Sequence, residues 1–199
     1  MQRLLFVGIL LSRIAVGDPL TVIFHGIGSG TLGSETFTSS AFTFTFTSDT
    51  SLLTTQLAWP NDISTPEGTP ASFTIDAIGS GSLTDGQAVF VNPTTDDVGI
   101  WIFSPPDFLT LGNSAFAIYD LSTNLGPING TPSATSAFLP TSIGNNELLS
   151  FTSVSNLTFT AAVGAHSVPE PSTLGMVGLA LGCLVVGKAR RNLSGAQRS

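Results

Sequence analysis

Two histidines, His25 and His166, one cysteine, Cys183, and no lysine or arginine between Gly17 and Gly187 leave this chain few groups for acid–base or nucleophilic chemistry. His25 falls in an alternating stretch and reads as a strand residue making a structural hydrogen bond. His166 reads as part of a linker. Neither a G-x-S-x-G nucleophile elbow nor an H-E-x-x-H zinc motif occurs. Asp96 and Asp97 are adjacent, so in a strand they would point to opposite faces and could not work as a glycosidase pair. They belong instead in the turn after Asn92 and Pro93. Turn carboxylates can take calcium, which makes Asp76, Asp85, Asp96 and Asp97 weak candidates. No loop has EF-hand spacing, and solvated turn residues are the expectation, with no metal and no cofactor. The absence of a catalytic set points away from an enzyme.

Two further groups could bind rather than react. Thr43, Thr45 and Thr47 repeat every second residue, and regular threonines on a flat sheet can match an ice lattice. That requires several rows stacked, whereas one strand carries this one, so ordinary solvent-facing β-formers are expected. Trp59 and Tyr119, read as exposed, offer faces for stacking on sugars, while Trp101 reads as core.

The elements that must position these residues are strands. In Ala41–Asp49, phenylalanines at 42, 44 and 46 alternate with the threonines, as a half-buried strand requires. Thr21 to His25 alternates likewise, followed by a turn at GSGTLGS. Further strands are expected over Leu52–Leu57, Ser72–Ile78, Ala88–Val91, Val98–Phe103, Ala115–Leu121, Leu148–Val154 and Leu157–Val163, separated by proline and glycine breakers that include Gly126 and Pro127. Val98–Phe103 is apolar on both faces and should be central. Roughly nine short strands without a convincing helix predict an all-β fold, an antiparallel β-sandwich of jelly-roll-like form, followed by a linker and one C-terminal transmembrane helix. The cores IGSGTL and IGSGSL, 51 residues apart, are a faint internal echo.

Charge is partitioned. All six basic residues (Arg3, Arg13, Lys188, Arg190, Arg191, Arg198) lie at the ends, and all thirteen carboxylates lie between Asp18 and Glu170. The positive-inside tendency predicts this for a chain whose ends face the cytoplasm and whose middle is translocated. A body with no cation cannot neutralise phosphates, which excludes nucleic acid as a partner. Residues 1–17 read as a signal peptide, with an apolar run from Leu4 to Leu11 and a small-residue cleavage site formed by Ala15, Gly17 and Asp18. Cys183 has no partner for a disulfide and reads as a small apolar filler in a membrane helix.

The tail combines four parts in order: Val168, Pro169, Glu170 and Pro171; a polar step at Ser172 and Thr173; an apolar run to Gly187; and the basic cluster Lys188, Arg190 and Arg191. The prolines hold the tetrapeptide extended, as a protease or transpeptidase needs. Thr173 to Gly187 is 15 residues, about 22 Å as a helix, short of a bilayer core of roughly 30 Å unless the flanking polar and basic residues extend its reach. The basic cluster would stop transfer and keep that end cytoplasmic.

VPEPSTL, the glycine-spotted apolar run and the arginine cluster closely resemble the PEP-CTERM sorting signal of Gram-negative bacteria; NLSGAQRS follows the arginines. The resemblance implies export, retention in the inner membrane and processing by exosortase, a membrane cysteine peptidase. Val168 to Pro171 would then be the recognition residues, with the scissile bond at or near them. The expected organisation is a signal peptide (1–17), a β-sandwich domain (18–163), a linker with the motif (164–172), a transmembrane helix with its basic cluster (173–191) and a cytoplasmic tail (192–199). The expected partners are exosortase, the secretion machinery, the membrane and extracellular polysaccharide. The expected function is a non-enzymatic structural component of the cell surface or extracellular polysaccharide matrix, such as a biofilm. The alternative is a carbohydrate-binding β-sandwich module or adhesin, in a calcium-dependent or calcium-independent form.

Overall fold

The structure, a computed structural model, describes residues 17–55, 62–76, 78–84, 86–102, 108–132, 141–143 and 147–165. Among them are thirteen strands and no α-helix: β1 (Pro19–Leu32), β2 (Glu35–Asp49), β3 (Thr54–Thr55), β4 (Ile63–Ser64), β5 (Ala71–Ile75), β6 (Gly79–Leu83), β7 (Ala88–Asn92), β8 (Asp97–Trp101), β9 (Leu109–Gly112), β10 (Leu125–Asn129), β11 (Thr131–Pro132), β12 (Thr141–Ile143) and β13 (Glu147–Val163). They form two antiparallel sheets. One runs β1-β2-β5-β6-β12-β13-β10, and because β1 also pairs with β13 it closes on itself. The other runs β11-β9-β8-β7-β4-β3.

The larger sheet follows from alternation. Phe37, Phe42, Phe44 and Phe46 of β2 are buried, as are Leu20, Val22 and Phe24 of β1 and Phe73 and Ile75 of β5. Burying a phenylalanine contributes roughly 2–3 kcal/mol, so a one-residue slip that turned these faces outward is strongly disfavoured. Beyond Phe24, β1 carries Gly26, Gly28 and Gly30 on the same inward face. A Cβ on Gly28 would come within 2.6 Å of the Phe151 ring, and one on Gly26 within 2.8 Å of the Phe42 ring. The stretch expected as a turn is therefore strand, its glycines leaving room for rings that reach in from both neighbours. The turn falls later, at Gly33 (φ 58°) and Ser34, between β1 and β2. The echo of this stretch, Ile78–Leu83, is also mostly strand (β6), with Gly81 lying under the Phe73 ring.

The smaller sheet is apolar on both faces at its centre. Ala88 to Val91 and Val98 to Ile100 are all buried, and β8 sits between β7 and β9 as its composition requires. The sheets share one core, in which Phe44 of β2 meets Phe108, just before β9, with ring centroids 5.7 Å apart at 84°.

Four expectations about elements change. The two strands expected over 148–163 are one strand, β13, pairing with β1 along most of its length. Its register slips where His25 faces Thr158 but Ile27 faces Ser155, so Asn156 sits in a bulge at φ 50°. Ala115–Leu121 is not strand. The Asn113 side chain accepts from the Ala115 amide (2.9 Å) and caps a 3-10 turn over Ser114–Phe116, which sends Phe116 and then Tyr119 inward three residues apart. Gly126 and Pro127, expected as breakers, lie inside β10, which among the described strands pairs with β13 alone and carries an irregularity there, a position where proline is tolerated. Within the stretch expected as Leu52–Leu57, a 3-10 turn at Thr50–Leu52 is followed by the two-residue β3.

The first and last strands meet end to end. Leu20 pairs with Val163, and the Gly164 amide donates to the Pro19 carbonyl at 2.8 Å.

Candidate functional site

Val168, Pro169, Glu170, Pro171, Lys188, Arg190 and Arg191 lie outside the described residues, as do Ala15, Trp59, Asp85, His166 and Cys183. So does the expected membrane helix; among the described residues no helix is long and apolar enough to cross a membrane. Of the expected cleavage site, Gly17 and Asp18 are described. The Asp18 amide donates to Thr50 Oγ1 at 2.8 Å, and the Thr50 amide donates back to the Asp18 carbonyl at 2.9 Å, fixing this point against the end of β2.

The calcium candidates are dispersed. Asp76 follows β5 in the larger sheet, whereas Asp96 and Asp97 stand at the β7–β8 turn of the smaller one. Among the described residues no three histidine, cysteine, aspartate or glutamate side chains cluster. The turn is as expected at Asp96 but not at Asp97, which already pairs with Asn92 and Gly112 as the first residue of β8: Asn92 Oδ1 accepts from the Thr94 (2.9 Å) and Thr95 (3.2 Å) amides, and Asp96 takes φ 58°.

Tyr119 is not an exposed platform. It is 5% exposed, packs 5.9 Å from the Phe159 ring and donates its hydroxyl to the Thr123 carbonyl at 3.0 Å. Burial, and then the Asp120 carboxylate, push its phenol above the ordinary tyrosine range. Trp101, expected in the core, is half-buried at the end of β8. His25 is exposed, with Nδ1 3.1 Å from Thr43 Oγ1.

The threonine row is not confined to one strand. Register carries it across five strands of the larger sheet, in one line through Ser82, Ser72, Thr45, Ile23 and Thr160 and in a second through Ser80, Thr74, Thr43, His25 and Thr158. Neighbours in each line stand about 4.8 Å apart. Apart from His25, neither line contains a titratable side chain. The sheet that bears them closes on itself, so the lines curve, whereas a crystal face demands a plane.

The second line ends at a groove. Asn129 of β10 pairs with Thr158, and where the chain crosses from β10 to β11 it walls a cavity of about 590 Å³ against the bulged part of β13. Gly130 makes the crossing, since a Cβ there would strike Leu111, and the Asn129 carbonyl accepts from Asn113 Nδ2 at 2.8 Å. Asn129, Thr131, Ser155, Asn156 and Thr158 give the lining its polar side chains, and none of the nine lining residues is charged. Sequence reasoning missed this site because its walls lie at 129–132 and 154–158, far apart in the chain, and neither β10 nor the bulge was expected; the positive-φ tendency of Asn156 was its local trace.

No curated protein and no solved structure matches the chain. Residues 167–191 match the family model of the PEP-CTERM protein-sorting motif, a signal of export across the membrane in Gram-negative bacteria. By that tail, which follows a β body without lysine or arginine, the chain carries the PEP-CTERM sorting motif.

Proposed function

We propose that this exported protein is held in the inner membrane by residues 173–191, is cut by exosortase at or near Val168 to Pro171, and then serves as a non-enzymatic structural component of the cell surface or extracellular polysaccharide matrix. The observation that carries this reading is the sorting motif at 167–191. The charge partition supports it independently, because every lysine and arginine lies outside the stretch that would be translocated. The test is to produce the full chain in cells with and without an exosortase and to follow its mass and location. A shortened form outside the inner membrane only when the peptidase is present is the expected result. Identical mass and location in both strains would end the reading of the tail, and robust turnover of a glycan or peptide by the purified protein would end the non-enzymatic reading.

The uncharged polar groove beside β13 favours a second reading, a carbohydrate-binding module. This reading no longer includes Tyr119, whose faces are taken up by the core.

A further inference from the structure

We propose that the groove between Asn129–Pro132 and Val154–Thr158 binds a neutral saccharide through the side-chain amides of Asn129 and Asn156. The proposal rests on the carbohydrate-binding reading and gives it a place on the molecule. The volume, about 590 Å³, is within the ordinary range for small-ligand sites. Both asparagines are exposed, and neither side-chain amide is engaged by another described residue. An amide presents two donors and an acceptor on one plane, the set that a pair of sugar hydroxyls can satisfy in both directions. Thr131 and Ser155 add hydroxyls, Thr158, whose hydroxyl donates to the His25 carbonyl at 3.2 Å, adds an acceptor, and the Pro132 ring adds an apolar patch for a sugar's C–H face.

The electrostatics select among sugars. No charged residue lines the groove, and no lysine or arginine occurs between Gly17 and Gly187, so a uronate or sulfated glycan would lose the hydration of its charges with no fixed cation to replace it. A neutral sugar carries no such penalty. The approach is also suited to a chain of hydroxyls, since the line through Ser80, Thr74, Thr43, His25 and Thr158 leads to Asn129. An extended peptide would need a regular strand edge, and the bulge at Asn156 interrupts the ladder where that edge would be.

Asn156 is held at φ 50° within a strand of 17 residues, a conformation that glycine would adopt with less strain. Asparagine is among the few non-glycine residues that tolerate this conformation, and here it also places a side-chain amide on the groove that the bulge opens.

The experiment uses the full chain in a zwitterionic detergent without sugar head groups. Cellohexaose, maltohexaose and laminarihexaose are titrated in by calorimetry, with hexaguluronate as the anionic comparison. At least one neutral hexaose should bind, and Asn156→Gly and Asn129→Ala should each weaken it roughly tenfold without lowering the melting temperature, since glycine keeps the left-handed backbone while removing the amide. Neutral binding that neither variant alters would overturn this site and leave the carbohydrate reading standing. No neutral hexaose bound at about 10 mM, weaker than the millimolar affinities that count as specific, would overturn both. Preference for hexaguluronate would overturn the proposal as well.

Discussion

The rings of Phe42 and Phe151 meet with centroids 4.8 Å apart although their strands, β2 and β13, are separated by β1. They meet because β1 places Gly28 between them: a Cβ there would lie 2.6 Å from one ring and 3.2 Å from the other. Gly28→Val should therefore cost about 2 kcal/mol in chemical denaturation, as overpacked cores do, while Ile27→Val on the outer face stays within about 0.5 kcal/mol. Equal stability of the two variants would show that the ring contact does not depend on the glycine.

Tyr119 is the chain's single tyrosine, so its ultraviolet ionisation can be read without interference. Its folded pKa is raised, first by burial and then by Asp120, above the ordinary value of about 10. Between that value and the folded pKa the unfolded chain has lost a proton that the native protein keeps, so stability should be level below about pH 10 and fall as pH rises beyond it. Tyr119→Phe should remove this alkaline fall and, through loss of the bond to Thr123, cost about 1 kcal/mol at neutral pH. A phenol titrating near pH 10 in the folded protein would contradict the burial argument.

The bulge at Asn156 separates backbone from side chain. Asn156→Gly should be neutral or stabilising by up to about 1 kcal/mol, and Asn156→Val, forced to positive φ with a branched Cβ, should lose about 2 kcal/mol. Thermal melts of the pair check this; a valine variant as stable as the native chain would mean that the strand had slipped into a regular register.

On the proposed reading of the tail, replacing Lys188, Arg190 and Arg191 by glutamine would remove the charge that halts a marginal apolar segment. Fractionated cells should show the chain passing into the periplasm uncut. Unchanged membrane retention and processing would separate sorting from the basic cluster.

How much of this was legible depended on whether a residue's role was local. The β2 alternation, the apolar β8 and the Asn92–Asp97 turn are set by neighbours in sequence, and each is where the residue pattern predicts it. The glycine run of β1 was misread because its reason, the rings of Phe42 and Phe151, lies in other strands. Tyr119 was misread because FAIYDL alternates like a strand, while Asn113 caps the turn that buries it. β10 and the groove were invisible for a third reason: Gly126 and Pro127 break strands in general, and only an edge position exempts them.

The pairing of Leu20 with Val163 has a consequence for when the body can finish folding. A polypeptide delivered through a pore from its front end exposes β1 early, yet one whole flank of β1 stays vacant until β13, some 130 residues later, has come through. Closure of the barrel-like sheet is thus a late event, so the cargo remains loose and threadable through most of its passage. The rear tether proposed for the tail would give the final strand time to dock before the protein is let go.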